Sequence, residues 1–218
     1  MNSSKKLSAN TKALTESAIL IALATILSLI KIYEMPWGGS VTLASMLPIV
    51  IIGYRHGIKW GMLSSVVFSL LQMLFGGKTI SAAFLPGEDQ MVWYNALIMV
   101  FLDYFLAFAL VGLSGLFSNK DKPKKSLVLG SLVGTGCRFI AHFLSGWILW
   151  GAWADWFFSD FDKTTGTAIG NFFISKFDGQ MLSMMYSLFY NAMYMIPEMI
   201  ITVLLSLVIA SIPQISKE

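Results

Sequence analysis

The chain has 218 residues, of which 56% are hydrophobic and 12% are charged, and its formal net charge at pH 7 is +3. Soluble domains carry roughly a quarter charged residues, so this composition excludes an ordinary soluble domain and indicates a protein of the lipid bilayer. The basic residues lie in short loops rather than in a stripe, which excludes a nucleic-acid-binding protein. With about 20 residues per span, the chain has room for several membrane-crossing helices.

Apolar runs along the chain predict an all-α bundle of six transmembrane helices, forming a single domain over residues 1–218. The first run follows a tail at residues 1–12. It is as long as a full span and no A-x-A cleavage site closes it, so we interpret it as a helix rather than a signal peptide. The second apolar run is short for a span, and a long loop at residues 152–180 precedes the last run. The predicted helices are 13–33, 40–55, 58–76, 92–118, 126–151 and 181–211.

Lysine and arginine are unevenly divided between the two sets of connecting segments. Ten of the fifteen lie in the N-terminal tail, the 55–59 turn, the 119–125 loop and the C-terminal end, whereas four lie in the other loops and Arg138 lies within a span. Short cytoplasmic loops carry an excess of these residues. The asymmetry therefore predicts that both termini are cytoplasmic and that the 152–180 loop is extracellular.

Four ionisable side chains fall within predicted spans: Asp103, Arg138, His142 and Glu198. Such groups are costly in a bilayer and usually face a cavity or a partner. A helix rises about 1.5 Å per residue, which converts position into depth. Asp103 then lies roughly 16 Å and His142 roughly 12 Å below the outer ends of their helices, near the depth of Asn191. Glu198 is deeper, at about 22 Å. We expect Asp103, His142 and Asn191 to converge in the outer half of the membrane. A buried ion pair between Asp103 and Arg138 is the alternative.

Aromatic residues accompany these polar groups. His142, Gly146 and Trp150 share one face of the fifth predicted helix, and tyrosines recur at 186, 190 and 194 on the sixth. Glycine between an imidazole and an indole leaves room for a flat ring, unless Gly146 serves helix packing and Trp150 belongs to the interfacial aromatic belt. A carboxylate, an imidazole, an amide and several aromatic rings suit a small aromatic cation, which cation–π contacts attract.

Six short stretches occur in a fixed order along the chain: PWGGS at 36–40, MLPI at 46–49, RHGIKWG at 55–61, LDYFLAF at 102–108, RFIAHFLSG at 138–146 and YSLFYN at 186–191. Together they resemble the thiamine-specific S-components of energy-coupling factor (ECF) transporters, and the resemblance covers nearly the whole chain. In that family a six-helix subunit binds the vitamin from outside and associates with a shared transmembrane subunit and two ATPase subunits. The resemblance thus implies a multi-pass protein of the bacterial plasma membrane, with thiamine as ligand and no cofactor, metal site or catalytic residue.

The same resemblance implies the site residues. Asp103 stands where the family has the longer glutamate, and Phe68 stands where we expect a tryptophan. Ala18 and Ala22 resemble the small-residue motif by which helix one docks to the shared subunit. The implied thiamine site consists of Asp103, Tyr104, His142, Trp150, Tyr186, Asn191, Trp37, Trp93 and Phe68.

Other functions remain open at this point. Within transport, the alternative is an S-component for another vitamin or for a thiamine precursor. An intramembrane enzyme using Cys137, His142 and Asp103 is disfavoured, because a cysteine and a histidine five apart on a helix point about 140° away from each other. No H-E-x-x-H, G-x-S-x-G or P-loop motif is present, so any energy for transport comes from other subunits or an ion gradient.

Overall fold

The computed structural model describes residues 2–35, 38–87 and 90–213, with side chains from residue 8 onward in the first of these ranges. Trp37, a predicted site residue, lies outside the described residues. The chain is mainly helical, with one two-stranded hairpin near its N-terminal end. Its elements are α1 (Asn2–Leu29), β1 (Lys31–Glu34), β2 (Ser40–Thr42), α2 (Leu47–His56), α3 (Ile58–Phe75), α4 (Gly77–Phe84), α5 (Trp93–Met99), a π-helical stretch (Val100–Leu106), α6 (Ala107–Val111), a 3-10 stretch (Gly112–Phe117), α7 (Pro123–Leu149), a 3-10 turn (Gly151–Trp153), α8 (Ala154–Thr165), α9 (Ile169–Lys176) and α10 (Gly179–Ile209).

Within the described part of the chain, five helical stretches are long and apolar enough to cross a membrane. They correspond to the first, third, fourth, fifth and sixth predicted helices, and most of their ends lie within three residues of the predicted ones. The fourth is continuous from α5 through the 3-10 stretch. These spans are Ser8–Leu29, Ile58–Phe75, Trp93–Phe117, Pro123–Leu149 and Gly179–Ile209.

The second predicted helix was wrong over its first seven residues. Ser40–Thr42 is a strand that pairs antiparallel with Lys31–Glu34, and α2 begins only at Leu47. The reason lies in the turn of the hairpin, where Gly38 and Gly39 have φ of 98° and 86°, a backbone that glycine adopts without strain. Pro48, in the first turn of α2, then favours a helix start because its missing N–H would have no partner there.

The long 152–180 segment is not an irregular loop, because it contains α8 and α9. Aromatic side chains fold the two helices onto each other and onto α10: Phe158 stacks on Phe173 with centroids 4.6 Å apart, and both rings contact Phe189 of α10. The helices therefore form a packed cap against one end of α10.

The helices α7 and α10 run antiparallel and are joined by a ladder of short polar contacts. Small and amide side chains supply most of the donors, which lets the two backbones approach closely. The rungs are Ser183 Oγ to Gly151 O (3.1 Å), Ser187 Oγ to Phe143 O (2.6 Å), Asn191 Nδ2 to His142 O (3.3 Å) and the Ser131–Ser206 hydroxyl pair (2.6 Å). This register places Arg138 of α7 near the level of Glu198 of α10.

Small residues elsewhere serve internal packing. A Cβ on Gly112 would lie 2.5 Å from the backbone N of Met62, and one on Gly61 would lie 2.8 Å from the carbonyl of Gly112. The α3 backbone therefore touches the end of the fourth span directly. Ala18 and Ala22 differ from these glycines, since both are exposed on the outer face of α1.

Candidate functional site

A cavity of about 240 Å³ lies between α1, the β1–β2 hairpin, the α3–α4 junction, the fourth span, α7 and α10. Six of the predicted site residues line it, and they come from three separate spans. These six are Asp103, Tyr104, His142, Trp150, Tyr186 and Asn191.

Asp103 and Tyr104 lie in the π-helical stretch Val100–Leu106, and both line the cavity. A π-helix is rare, and it is often found at functional sites. The carbonyl of Tyr104 accepts a hydrogen bond from the fully buried Ser69 hydroxyl of α3 at 2.9 Å. This contact fixes the stretch against α3 and so helps to hold the carboxylate and the phenol on the cavity side.

Two side chains of α7 hold both oxygens of the Asp103 carboxylate. His142 Nδ1 lies 3.0 Å from Oδ1, and the Ser145 hydroxyl donates to Oδ2 at 2.7 Å. Asp103 therefore pairs with the imidazole of α7, not with Arg138, so the ion pair considered as an alternative is not formed among the described residues. The result is a carboxylate held in one orientation at the cavity wall.

The remaining ring nitrogen of His142, Nε2, is buried and has no hydrogen-bond partner among the residues described. A carboxylate beside Nδ1 favours a proton on that nitrogen, which leaves Nε2 of the neutral ring as an acceptor. A buried polar atom without a partner is costly, so this nitrogen is a natural contact for a ligand with an N–H or O–H group.

Asn191 belongs to a network that connects α10 with α7. Its amide donates to the Ser187 carbonyl at 2.9 Å, and its Oδ1 accepts a hydrogen bond from the Tyr194 hydroxyl at 2.7 Å. The hydroxyl of Tyr190, one helical turn before Tyr194, donates to the Gly38 carbonyl at 3.0 Å. This bond ties the hairpin turn to α10. The hairpin therefore forms a wall of the cavity.

Gly146 lies where α7 and α10 cross closely, so it serves helix packing, one of the two roles considered for it from the sequence. A Cβ at this position would lie 2.3 Å from the Ser187 hydroxyl and 3.2 Å from the Asn191 amide nitrogen. The glycine also lines the cavity, so the close crossing of α7 and α10 leaves the space beside Trp150 open.

The end of the cavity farthest from Trp150 carries a second polar cluster. Glu198 is 1% exposed, and its carboxylate accepts hydrogen bonds from the Thr42 backbone N–H at 2.6 Å and the Thr42 hydroxyl at 2.7 Å. The Ser45 hydroxyl lies 3.4 Å from the same carboxylate. Arg138 also lines this region, with its guanidinium 4.4 Å above the Phe108 ring.

Two predicted site residues do not reach the cavity. Phe68 is 1% exposed and packs edge-on against Phe108 at 5.5 Å, so it lies behind the lining. Trp93 is 68% exposed and contacts Tyr94. Neither is among the described lining residues, because Phe68 packs behind the lining residue Phe108 and Trp93 is largely exposed.

Several lining or supporting residues were not among the predicted site residues. Ser145 could have been found, since it follows His142 by three residues and so shares its helix face. Thr42 and Ser45 gave no such signal, because their contact with Glu198 joins parts of the chain more than 150 residues apart.

The charged side chains of the described lining balance to one negative charge. Two are positive, Lys31 and Arg138, and three are negative, Glu34, Asp103 and Glu198. Counted as formal charges with a neutral His142, this net charge of −1 would suit a ligand carrying a single positive charge. The tyrosine and tryptophan rings around it add cation–π attraction of up to about 2 kcal/mol where water is excluded.

Comparison with known proteins finds thiamine transporters among the relatives of this chain. Residues 14–157 match the family described as thiamine transporter protein (Thia_YuaJ). The thiamine transporter ThiT of Bacillus subtilis (strain 168) is 30% identical over 230 aligned residues, which cover all of this chain and 98% of the relative. ThiT of Lacticaseibacillus paracasei is 26% identical over 155 residues, covering 64% of this chain and 68% of the relative.

A solved structure of ThiT from Listeria monocytogenes superposes on the chain with a TM-score of 0.63. The match covers 95% of this chain and 98% of the other, at 20% sequence identity. At that identity the likeness concerns the fold, which is thus a known membrane-helix architecture.

Proposed function

This chain belongs to the thiamine transporter protein family, and from that membership we propose that it is the thiamine-binding membrane subunit of an ECF-type vitamin importer. It is a multi-pass membrane protein and a transport protein rather than an enzyme. The proposal goes further in naming thiamine as the ligand that this cavity holds and a shared ATP-driven module as the source of energy.

The observation that carries the proposal is the fixed carboxylate of Asp103 in an aromatic-walled cavity with one net negative charge. Thiamine carries a permanent positive charge on its thiazolium ring, and a buried carboxylate stabilises such a charge strongly because little water screens it. A thiamine precursor made of the pyrimidine alone lacks this charge, so the same carboxylate would have no cation to stabilise.

We place the thiazolium beside Asp103, with His142 on one side and the rings of Tyr186 and Trp150 towards the open end. The proposed ligand contacts also include Tyr104, Asn191 and Trp37, the last of which lies outside the described residues. Phe68 and Trp93 support the proposal less, since Phe68 lies behind the wall and Trp93 faces outward.

The membrane topology follows the same proposal. In this proposal β2, the turn residues 43–46 and α2 together make a sixth crossing. Six crossings put both termini in the cytoplasm, in agreement with the distribution of lysine and arginine. The α8–α9 cap then lies outside the bacterial plasma membrane.

The exposed face of α1 supports docking to the ECF transmembrane subunit, which would bring the two ATPase subunits. Ala18 and Ala22 are exposed, and the neighbouring Ile19, Leu23 and Ile26 are exposed apolar side chains. Small residues on such a face allow close approach of another helix in a membrane.

Intrinsic fluorescence tests the ligand, because the chain has seven tryptophans and Trp150 lines the cavity. Titration of the purified protein with thiamine should give saturable quenching at submicromolar ligand, the range of a buried charged contact plus ring burial (~8 kcal/mol or more). Riboflavin and the isolated aminopyrimidine serve as controls. A response to either of these without a response to thiamine would replace the proposed substrate.

Docking is tested separately. Ala18→Trp should abolish co-purification with the ECF transmembrane subunit but leave thiamine affinity unchanged, because α1 would no longer approach its partner. Leu132→Trp, at an exposed apolar position on α7, is the control and should co-purify as the wild type does. Retained co-purification of the Ala18 variant would remove α1 as the docking face without affecting the proposed ligand.

A further inference from the structure

Phe157 of α8 packs behind two tyrosines that line the cavity. Its ring centroid lies 5.2 Å from that of Tyr186 and 5.5 Å from that of Tyr190, both edge-to-face. This arrangement is attractive between aromatic rings. Phe157 is 6% exposed and is not among the described lining residues, whereas both tyrosines are. The α8–α9 cap therefore supports the cavity wall from behind.

Tyr190 carries this support further into the site. Its hydroxyl holds the Gly38 carbonyl of the hairpin turn, and its ring lies 6.3 Å from that of Tyr194. The Tyr194 ring in turn lies 6.2 Å from the imidazole of His142. A continuous path of ring contacts thus leads from Phe157 to a group beside the proposed ligand.

The cap and the hairpin also share one apolar core. Met35, directly after β1, is 3% exposed, and Val41 of β2 is 6% exposed. Both belong to the same buried cluster as Phe157 and Ala154 of α8. Closely packed interiors transmit displacement from one side chain to the next, so a shift of α8 reaches the hairpin wall as well as the tyrosines.

Gly170 allows the two helices of the cap to approach closely. A Cβ at this position would lie 1.9 Å from the backbone carbonyl oxygen of Phe158, so any larger residue must separate α9 from α8. Gly170 is not among the described lining residues. The cap can therefore be loosened at a position that a ligand in the cavity does not touch.

We propose that the α8–α9 cap sets how long a ligand stays in the cavity, and that Phe157 is the positioning residue through which it acts. This inference rests on the proposed function, since the ligand concerned is thiamine. A tyrosine ring already held by Phe157 loses little freedom when a ligand covers its other side, which reduces the cost of binding. Without Phe157, the rings of Tyr186 and Tyr190 sample more orientations, and the wall opens more often for release.

Four variants test the proposal. Phe157→Ala removes the support, Phe157→Leu keeps much of its apolar volume, and Gly170→Ala separates the two helices of the cap. Phe161→Ala is the matched control, because Phe161 lies one turn further along the same face of α8 and packs on Phe189 at 5.3 Å and on Phe157 at 6.0 Å. Neither of these partners is among the described lining residues.

Release is measured by loading the purified protein with radiolabelled thiamine and chasing with unlabelled thiamine. Phe157→Ala should release thiamine about fivefold faster than the wild type, the size of one or two lost aromatic contacts, with little change in the association rate. Gly170→Ala should also release it faster, and Phe157→Leu should lie between Phe157→Ala and the wild type. Phe161→Ala should stay within about twofold of the wild type, because its effect on the lining rings is indirect.

A mutant cycle separates positioning from general stability. If Phe157 acts through Tyr186, Phe157→Ala should accelerate release much less in a Tyr186→Leu background than in the wild type. A loss of overall stability would give the same factor in both backgrounds, and that result would contradict the proposal.

A second readout needs no ligand. The chain has seven tyrosines, which can be replaced by fluorotyrosine and followed by fluorine NMR. The signals of Tyr186 and Tyr190, assigned with Tyr186→Phe and Tyr190→Phe, should shift in Phe157→Ala and stay in place in Phe161→Ala.

Equal release rates in the folded Phe157→Ala variant and the wild type would overturn the inference. Equal acceleration by Phe157→Ala and Phe161→Ala would do the same, since the cap would then act through stability alone. If Phe157→Ala does not fold, Phe157→Leu and Gly170→Ala decide. Absence of thiamine binding by the wild type would contradict the proposed function, while the fluorine signals would still show whether Phe157 positions the two tyrosines.

Discussion

At the scale of single residues, Asp103 is a carboxylate held in one orientation at the cavity wall. Both of its oxygens accept hydrogen bonds from α7, from His142 and Ser145, which fixes its direction before any ligand enters. Such preorganisation reduces the ordering cost of binding. The shorter aspartate, where the resembled family has glutamate, fits this arrangement because Ser145 and His142 come close enough to reach it.

Asp103→Asn should therefore reduce thiamine affinity about tenfold or more, corresponding to about 1.4 kcal/mol for the lost charge–charge contact. Fluorescence titration of the purified variant measures the change. Asp155→Asn, a substitution of an exposed carboxylate on α8, is the control and should bind as the wild type. Equal affinity of the Asp103 variant and the wild type would make this carboxylate a structural residue.

At the scale of elements, the α8–α9 cap depends on one carboxylate at a helix start. Asp162 of α8 accepts hydrogen bonds from the backbone N–H groups of Gly170 and Asn171, each at 2.7 Å, at the N-terminal end of α9. Burial acts to raise the pKa of this carboxyl, but these hydrogen bonds and one from Thr167 outweigh it and hold the pKa below its ordinary value. The positive end of the helix dipole acts in the same direction.

The sign of the pH effect follows from that direction. A carboxyl whose pKa is lower in the folded state stabilises the cap fully above its ordinary pKa, and the contribution is lost as the pH falls through the lowered value. We predict that protection of the Gly170 and Asn171 amides from hydrogen exchange, relative to Asp162→Ala at the same pH, is greatest near neutral pH. It should decline in strong acid. The variant at the same pH cancels the intrinsic pH dependence of exchange.

The quantity to compare is the amide protection of the wild type divided by that of Asp162→Ala at the same pH. If this ratio stays constant from neutral pH to strong acid, the Asp162 carboxylate does not stabilise α9. Asp160→Ala, on the same helix and exposed, is the matched control and should leave the protection of α9 unchanged at every pH.

At the scale of the whole molecule, the cavity is assembled from distant parts of the chain. Glu198 ties α10 to the hairpin through Thr42, and Glu16 ties α1 to the end of α2 through two hydrogen bonds from Arg55, at 2.9 and 3.0 Å. From residue 8 onward, the buried residues of α1 are small, namely Ala13, Ser17, Ala24 and Ser28. A ligand that touches several of these walls would add to their cohesion.

Thiamine should therefore raise the Tm of the detergent-solubilised protein, because it binds the folded state and not the unfolded chain. At a free concentration one hundred times the Kd, the expected stabilisation is about 2.7 kcal/mol. A thermal-shift series in thiamine measures it, with riboflavin at equal concentration as the control. Asp103→Asn should show a smaller shift at the same concentrations, and a Tm independent of thiamine would contradict specific binding.

The sequence by itself determined the membrane class, five of the long spans and the convergence of Asp103, His142 and Asn191. These features are local: a span is set by the length of an apolar run, and residues four apart share a helix face. The six site residues that line the cavity follow from the same periodicity combined with the resemblance. The prediction was most reliable where regular helix geometry converts position directly into depth and direction.

Only the tertiary structure decided how the cavity is closed and how its charges are paired. The β1–β2 hairpin, the partners of Glu198, the support of Asp103 by Ser145 and the withdrawal of Phe68 and Trp93 from the wall all depend on which distant elements meet. A hydrogen bond between Thr42 and Glu198 has no periodicity that a sequence could display. Its geometry exists only once the helices have packed, because burial makes each polar group require a partner that the chain supplies from elsewhere.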